Sequence, residues 1–184
     1  MKTAADHTIL AEGGCLCGAV RYGVTSYPEF VVNCACNFCQ RATGGHYLVE
    51  TLYPPDDLIL LAGVPKLRNH RSAGSGKIIH MRFCGDCGTQ LYMSFERYDD
   101  CVGVFSGTFD DPNWFPREPE TTKYFYVEKM PDGVTIPAGY GAFYGHGLKL
   151  DGAHNTPQVF DTHTEVNAEI RDASHVFARG HGEA

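Results

Sequence analysis

The chain contains 184 residues, of which 43% are apolar, and its formal net charge at pH 7 is −7. A chain of this length and composition can bury a hydrophobic core in one domain, and no stretch approaches the ~18 consecutive apolar residues that a membrane-spanning helix needs. The 15 lysines and arginines are distributed without a run, which argues against a nucleic acid as partner because phosphate binding depends on clustered basic side chains.

Short runs rich in valine, isoleucine and aromatic residues, bounded by glycine and proline, predict β-strands over most of the chain before residue 110. One helix is predicted over residues 37–43, and the alternation of strands and helices that is typical of a parallel sheet is missing. The sequence therefore predicts a mostly β, sandwich-like single domain over residues 8–130. The predicted strands cover residues 8–12, 19–24, 30–33, 46–52, 58–61, 77–83, 89–94 and 101–105.

The rest of the chain, residues 131–184, is predicted to be an irregular extension, because its prolines and glycines exclude regular structure over most of its length. Its aromatic residues indicate that it packs on the core, while its composition is also compatible with a trailing tail. A short helix is predicted near its end, around His175 and His181. We expect His181 to be solvated, although a terminal histidine can also bind a metal ion.

Seven of the eight cysteines fall into three tight groups. Thiols separated by one to three positions are too close in the chain to form relaxed disulfides with each other, but they can bind one soft cation such as zinc. The N-terminus lacks the apolar segment of a signal peptide, so we expect reduced thiols and a cytoplasmic location. The groups are Cys15 and Cys17; Cys34, Cys36 and Cys39; and Cys84 and Cys87.

The spacing of the cysteines predicts how they divide between two metal ions. Cys84 and Cys87 are each followed by glycine, which is the pattern of a zinc knuckle. A knuckle supplies two ligands and needs two more from a distant part of the chain, which Cys15 and Cys17 can provide. The group of three cysteines is a three-ligand set by itself. We therefore predict two zinc ions per chain, a closed structural site with four thiolates and an open catalytic site with three.

Other interpretations of the cysteines remain open at this point. A disulfide framework is typical of small secreted chains, and an iron–sulfur cluster usually follows ferredoxin spacings, which this sequence lacks. If His46, His70 or His80 completed the group of three, both zinc sites would be structural. The protein would then be a non-catalytic binding protein or a redox or metal sensor. Cys101 lies in a strand-like run and is interpreted as a small buried apolar side chain.

The cysteine motifs resemble those of the glutathione-dependent formaldehyde-activating enzyme family, which also contains centromere protein V. The resemblance covers about residues 8–130, and it implies a mostly β fold with one zinc ion at the two cysteine pairs and a second, catalytic zinc ion at the group of three. It also implies a carbon–sulfur lyase that forms and cleaves S-(hydroxymethyl)glutathione. The similar segments are residues 13–22 (GGCLCGAVRY), 34–41 (CACNFCQR), 83–88 (FCGDCG) and 107–112 (GTFDDP).

A zinc ion with three thiolate ligands suits a fourth soft ligand, and a substrate thiol bound there would have a lowered pKa. Formation or cleavage of a thiol–aldehyde adduct fits such a site, and the family resemblance implies glutathione as the thiol. Arg41 is the candidate for binding a carboxylate of glutathione, with a surface ion pair as its alternative role. His46 is a candidate proton shuttle, and Trp114 is expected to pack in the core. A homo-oligomer is compatible with the sequence.

Overall fold

The computed structural model describes residues 8–172 of the protein. These residues form fourteen strands and two short helices, α1 (Asn37–Thr43) and α2 (Ala168–Asp172). The mostly β class is therefore confirmed, and α1 has the predicted bounds. The strands are β1 (Ala11–Gly14), β2 (Arg21–Val24), β3 (Phe30–Cys34), β4 (Leu48–Tyr53), β5 (Leu58–Ala62), β6 (Lys66–Arg71), β7 (Ile78–Phe83), β8 (Gln90–Phe95), β9 (Val102–Phe105), β10 (Thr122–Phe125), β11 (Thr135–Ile136), β12 (Gly141–Ala142), β13 (Gln158–Val159) and β14 (Thr164–Glu165).

Each of the eight predicted strands overlaps an observed one, but β6 and β10 are absent from the prediction. All six residues of β6 are exposed, so its sequence lacks the apolar alternation that indicates a strand. The strand forms because β7 pairs with its whole length, from Lys66 opposite Phe83 to Arg71 opposite Ile78. β10 has only four residues, and it is a strand because β3 and β12 pair with it on its two sides.

The hairpin of β6 and β7 carries a concentration of positive charge. Five of the 15 lysines and arginines lie between Lys66 and Arg82, and no aspartate or glutamate occurs from residue 58 to residue 85. β6 is the last strand in its sheet. Arg68 Nη2 lies 3.4 Å from Met81 Sδ, so its side chain covers the adjacent apolar surface. Three of the five basic residues, Lys66, Arg68 and Arg71, thus lie on the exposed edge strand β6.

The described residues divide into two compact units, and the first comprises residues 8–30, 50–72 and 76–116. It contains an antiparallel sheet in the order β1–β2–β5 and a second set of antiparallel strands in which β9, β8, β7 and β6 follow the second half of β4. The core of this unit is apolar and aromatic. Its fully buried large side chains include Tyr22, Val24, Tyr53, Met81, Leu91, Met93 and Val104.

The second unit comprises residues 31–49, 73–75 and 117–172. Its sheet has the order β13–β12–β10–β3, and β10 runs parallel to both β3 and β12, while β11 and β14 form a separate antiparallel pair. A domain boundary at residue 130 stays a prediction, but the core of this unit draws on both sides of that position. Its buried residues are Ala35, Tyr124, Val127, Met130, Val134, Ile136, Ala142 and Val166.

The structure describes the chain as far as Asp172, in α2. The segment with His175 and His181, for which a short helix is predicted, lies outside the described residues. Within residues 8–172, no helix is long and apolar enough to cross a membrane.

Candidate metal centres

The first unit brings together Cys15, Cys17, Cys84 and Cys87, whose sulfur atoms all lie within 4.8 Å of one another. The Cys15 and Cys17 sulfurs are 3.5 Å apart, and the Cys17 and Cys84 sulfurs are 3.7 Å apart. In a tetrahedral site with zinc–sulfur bonds of about 2.3 Å, neighbouring sulfurs are separated by about 3.8 Å. The spacing of these four thiols therefore fits one tetrahedral zinc ion.

Two glycines shape the turns that present these four thiols. Gly18 and Gly88 have φ angles of 75° and 77°, which are left-handed values that glycine adopts without steric cost. The Gly18 N–H donates to the Cys15 carbonyl at 3.0 Å, and the Gly88 N–H donates to the Cys84 carbonyl at 3.0 Å. Each turn thus closes back on its first cysteine, which places both thiols of a pair on one side.

Thr89 is a supporting residue that the sequence analysis missed. Its hydroxyl oxygen accepts a hydrogen bond from the Leu16 N–H at 3.2 Å and lies 3.1 Å from the Cys87 sulfur. Thr89 therefore connects the two cysteine-bearing turns, and its hydrogen bond lowers the pKa of Cys87 to about 5. The Val20 N–H donates to the Cys15 sulfur at 3.2 Å in a similar way. Hydrogen bonds of this kind orient metal ligands. The only feature of the sequence that points to Thr89 is its position directly after the zinc knuckle.

The second unit brings together Cys34, Cys36 and Cys39, again with all sulfur atoms within 4.8 Å of one another. Cys34 is the last residue of β3, Cys36 is the N-cap of α1, and Cys39 lies in the first turn of that helix. Cys34 and Cys39 are buried, whereas Cys36 is half-buried. The end of a strand and the start of a helix thus hold three thiols around one point.

The start of α1 is fixed by hydrogen bonds to this cluster and to the adjacent chain. The Cys36 sulfur accepts a hydrogen bond from the Cys39 N–H at 3.4 Å, which caps the helix. The Gln40 amide nitrogen donates to the carbonyls of Ala35 at 2.7 Å and Lys129 at 2.8 Å. Gln40 therefore anchors the helix through its side chain, a structural role that the sequence analysis did not identify.

The three sulfurs are too close to carry three negative charges without a cation. Hydrogen bonds from Cys34 and Cys39 lower the pKa of Cys36 to about 3. Hydrogen bonds within the cluster raise the pKa values of Cys34 and Cys39 above the ordinary value of a thiol. A soft metal cation would stabilise all three as thiolates, and thiolate ligands favour zinc, copper(I) or iron–sulfur centres. The residues present therefore fit a thiolate-bound metal.

The other cysteine and histidine candidates lie outside these clusters. All eight cysteines are within the described residues and all are free, so the disulfide framework is not observed. Cys101 is half-buried and not buried as the sequence analysis expects, and its pKa is raised to about 12 by burial and by nearby carboxylates. Among residues 8–172, neither cluster includes His46, His70 or His80. The His80 Nδ1 atom lies 2.8 Å from the Asn69 Oδ1 atom.

Arg41 and Trp114 differ in their surroundings. Arg41 lies in the last turn of α1 and is exposed. It makes no hydrogen bond or ion pair with another residue of the described part of the chain, so the surface ion pair proposed as its alternative role is not observed. Trp114 stacks on Tyr27 with ring centroids 5.6 Å apart and packs against Phe109 at 5.2 Å. Trp114 therefore packs against aromatic side chains, but it is half-buried and does not lie in the core.

The fold and the two clusters define a mostly β protein that can hold metal ions at two groups of cysteines. Residues 10–129 match the family model described as glutathione-dependent formaldehyde-activating enzyme. The chain belongs to this family, as the cysteine motifs predict.

Two individual proteins that resemble this chain have low sequence identity to it. The chain is 29% identical over 131 residues to a Halomonas elongata protein named "Putative glutathione-dependent formaldehyde-activating enzyme", and the match covers 70% of this chain and 82% of that protein. A crystal structure of a Rhodobacter sphaeroides protein is similar at 23% identity over 61% of this chain and 98% of that chain, with a TM-score of 0.46.

Proposed function

We propose that the protein is a zinc-dependent carbon–sulfur lyase that forms and cleaves S-(hydroxymethyl)glutathione from glutathione and formaldehyde. The observation that carries this proposal is the cluster of three: among residues 8–172 no fourth cysteine, histidine or carboxylate joins Cys34, Cys36 and Cys39, whereas the other cluster has four thiols. The identity of the two substrates is proposed from the description of the family to which the chain belongs. A cytoplasmic location stays a prediction from the sequence.

In this proposal the two clusters have different roles. Cys15, Cys17, Cys84 and Cys87 hold a structural zinc ion, because four thiolates complete its tetrahedron. Cys34, Cys36 and Cys39 hold a catalytic zinc ion. That ion would supply a soft Lewis acid beside which a substrate thiol loses its proton readily. Burial of Cys34 and Cys39 keeps water away from two of the three ligands.

A cobalt-substituted protein tests whether the cluster of three accepts an external thiol. We expect added glutathione to change the visible spectrum, because a fourth sulfur then completes the coordination of the metal. The Cys36→Ser protein, which keeps only the four-thiolate site, is the control and should not respond. A wild-type spectrum that already reports four protein ligands at both sites and ignores glutathione would support the non-catalytic binding protein instead.

Arg41 is proposed to bind a carboxylate of glutathione, since it is exposed and lies in α1, the helix that carries Cys39. The Arg41→Ala protein is expected to bind glutathione more weakly by about 1.5–3 kcal/mol, which raises the KM for glutathione roughly ten- to a hundred-fold. The measurement is the rate of exchange between formaldehyde and its adduct at varied glutathione concentration.

Two controls isolate this effect. 2-Mercaptoethanol has no carboxylate, so its reaction should be indifferent to the loss of Arg41. Lys129→Ala removes another exposed positive charge of the same unit and should leave the KM for glutathione unchanged. An equal effect of Arg41→Ala on both thiols would show that Arg41 does not recognise the carboxylate.

A further inference from the structure

Cys17 differs from the other seven cysteines in its access to solvent. All eight cysteines lie within residues 8–172, and Cys17 is the only exposed one, while the others are buried or half-buried. It belongs to a run of four exposed residues, 16–19, in which Leu16 is 91% exposed. A Cβ atom added at Gly18 would meet nothing within 4 Å beyond its neighbours in the chain. In the described part of the chain, the Cys17 sulfur is thus open to a reagent in solution.

Two sulfurs next to Cys17 in the cluster of four are shielded from solvent. Cys15 is 7% exposed and Cys84 is 1% exposed, and their sulfurs lie 3.5 Å and 3.7 Å from the Cys17 sulfur. The fourth member, Cys87, is half-buried. A reagent that reaches this cluster from solution therefore meets Cys17 first, and a second thiol is close enough to react with the product.

Cys17 is a thiolate when the cluster holds zinc, because a thiol that coordinates the ion is deprotonated outright, whatever its pKa in the metal-free chain. Four thiolates with one zinc ion carry a net charge of about −2, so the sulfurs stay electron-rich. The thiolate is the nucleophilic form of cysteine, and susceptibility to oxidation follows thiolate character and exposure. Cys17 combines both properties, whereas Cys15 and Cys84 lack the exposure.

We propose that Cys17 is a site of oxidation by hydroperoxides, and this inference rests on the structural zinc ion of the proposed function. The Cys17 thiolate attacks one peroxide oxygen, so that a sulfur–oxygen bond forms and the oxygen–oxygen bond breaks. The departing oxygen takes a proton from water. The Cys17 sulfur is oxidised by two electrons to a sulfenic acid, and the peroxide is reduced.

Cys84 is the thiol that reacts with this sulfenic acid. Its thiolate attacks the Cys17 sulfur, a disulfide forms, and hydroxide leaves. The Cys15 sulfur is slightly nearer, but Cys15 and Cys17 are too close in the chain for a relaxed disulfide. Two of the four thiolate ligands are lost in this reaction, so the cluster releases its zinc. The cluster of three, whose sulfurs are buried or half-buried, keeps its own.

Peroxide treatment of the zinc-loaded wild type is the first test. We expect hydrogen peroxide to release one zinc ion per chain, detected with a chromogenic chelator. Peptide mass mapping should then show a disulfide between Cys17 and Cys84 and leave the cluster of three reduced. Dithiothreitol with added zinc should restore the original zinc content. Oxidation that maps first to a cysteine other than Cys17 would overturn the inference.

Cys17→His and Cys87→His are a matched pair of variants for the second test. Histidine also ligates zinc in sites with three cysteines, so each variant should bind two zinc ions per chain. Peroxide-dependent release of zinc should be lost in Cys17→His, which has no exposed sulfur in the cluster, and should persist in Cys87→His, which keeps Cys17. Equal release from the two variants would overturn the inference. If Cys17→His binds fewer than two zinc ions, the mass mapping of the wild type decides.

Zinc content before peroxide is added separates two kinds of failure. A wild type with fewer than two zinc ions per chain would overturn the two zinc sites of the proposed function, whatever peroxide does. Two zinc ions that peroxide does not release would overturn only the oxidation of Cys17. Neither result depends on turnover of the formaldehyde adduct, so the inference is tested without an activity measurement.

Discussion

Replacing Cys84 by serine is expected to unfold the protein. Cys84 is only 1% exposed and contributes one of four closely spaced thiols in the first unit. The binding energy of a structural zinc site is also folding energy, about 10 kcal/mol or more in zinc-finger peptides. The whole stability of a domain is about 5–15 kcal/mol. Loss of this ligand therefore removes most of the free energy of unfolding. Circular dichroism and thermal unfolding would detect this loss.

Cys101→Ser is the matched control for this substitution. Cys101 lies outside both clusters, and its raised pKa is that of a thiol that stays protonated near neutral pH. The control should therefore bind two zinc ions per chain and unfold close to the wild-type temperature. One zinc ion per chain in the wild type, measured together with a thiol titration, would contradict the division into four and three ligands.

Replacing Cys36 by serine is expected to abolish the acceleration of exchange between formaldehyde and its glutathione adduct while the protein stays folded. The Cys36 sulfur caps α1 by accepting the Cys39 N–H, and a serine hydroxyl is among the best N-cap acceptors. The helix start is thus preserved although a metal ligand is lost. Zinc analysis should give one ion per chain, and exchange spectroscopy should give the uncatalysed rate.

Two outcomes of the Cys36 experiment would be decisive against the proposals. Equal exchange rates for the wild type and Cys36→Ser would show that the chain does not activate formaldehyde through this cluster. Equal loss of folding in Cys36→Ser and Cys84→Ser would show that both clusters are structural, as in a binding protein. Comparison of the two variants with Cys101→Ser separates these results from a general effect of removing a thiol.

The grouping of the cysteines is predictable because ligand number restricts how thiols can combine. Two pairs are needed for a set of four, and a group of three needs no partner, so the spacing alone assigns Cys15 and Cys17 to the distant knuckle, where their sulfurs lie. The helix after the group of three is predictable for a similar reason, since its residues lie between a metal-binding turn and Gly44, which ends the helix with φ 71°.

The features that could not be predicted depend on contacts between distant parts of the chain. β6 has no buried residue and becomes a strand only through pairing with β7. β10 has only four residues, and it is a strand through its parallel pairing with β3 and β12. Pairing between strands that are distant in the sequence leaves no signal in the spacing of the motifs.

The charged edge strand β6 also has a consequence for how the protein behaves in concentrated solution. An unpaired strand edge can recruit the same edge of another molecule and start aggregation. Lys66, Arg68 and Arg71 place three positive charges within six exposed residues, so two such edges repel each other. This repulsion is screened over about 10 Å at 0.1 M salt. The protein should therefore aggregate more readily as ionic strength rises, because salt weakens the repulsion between β6 edges. This effect does not require any change in the fold.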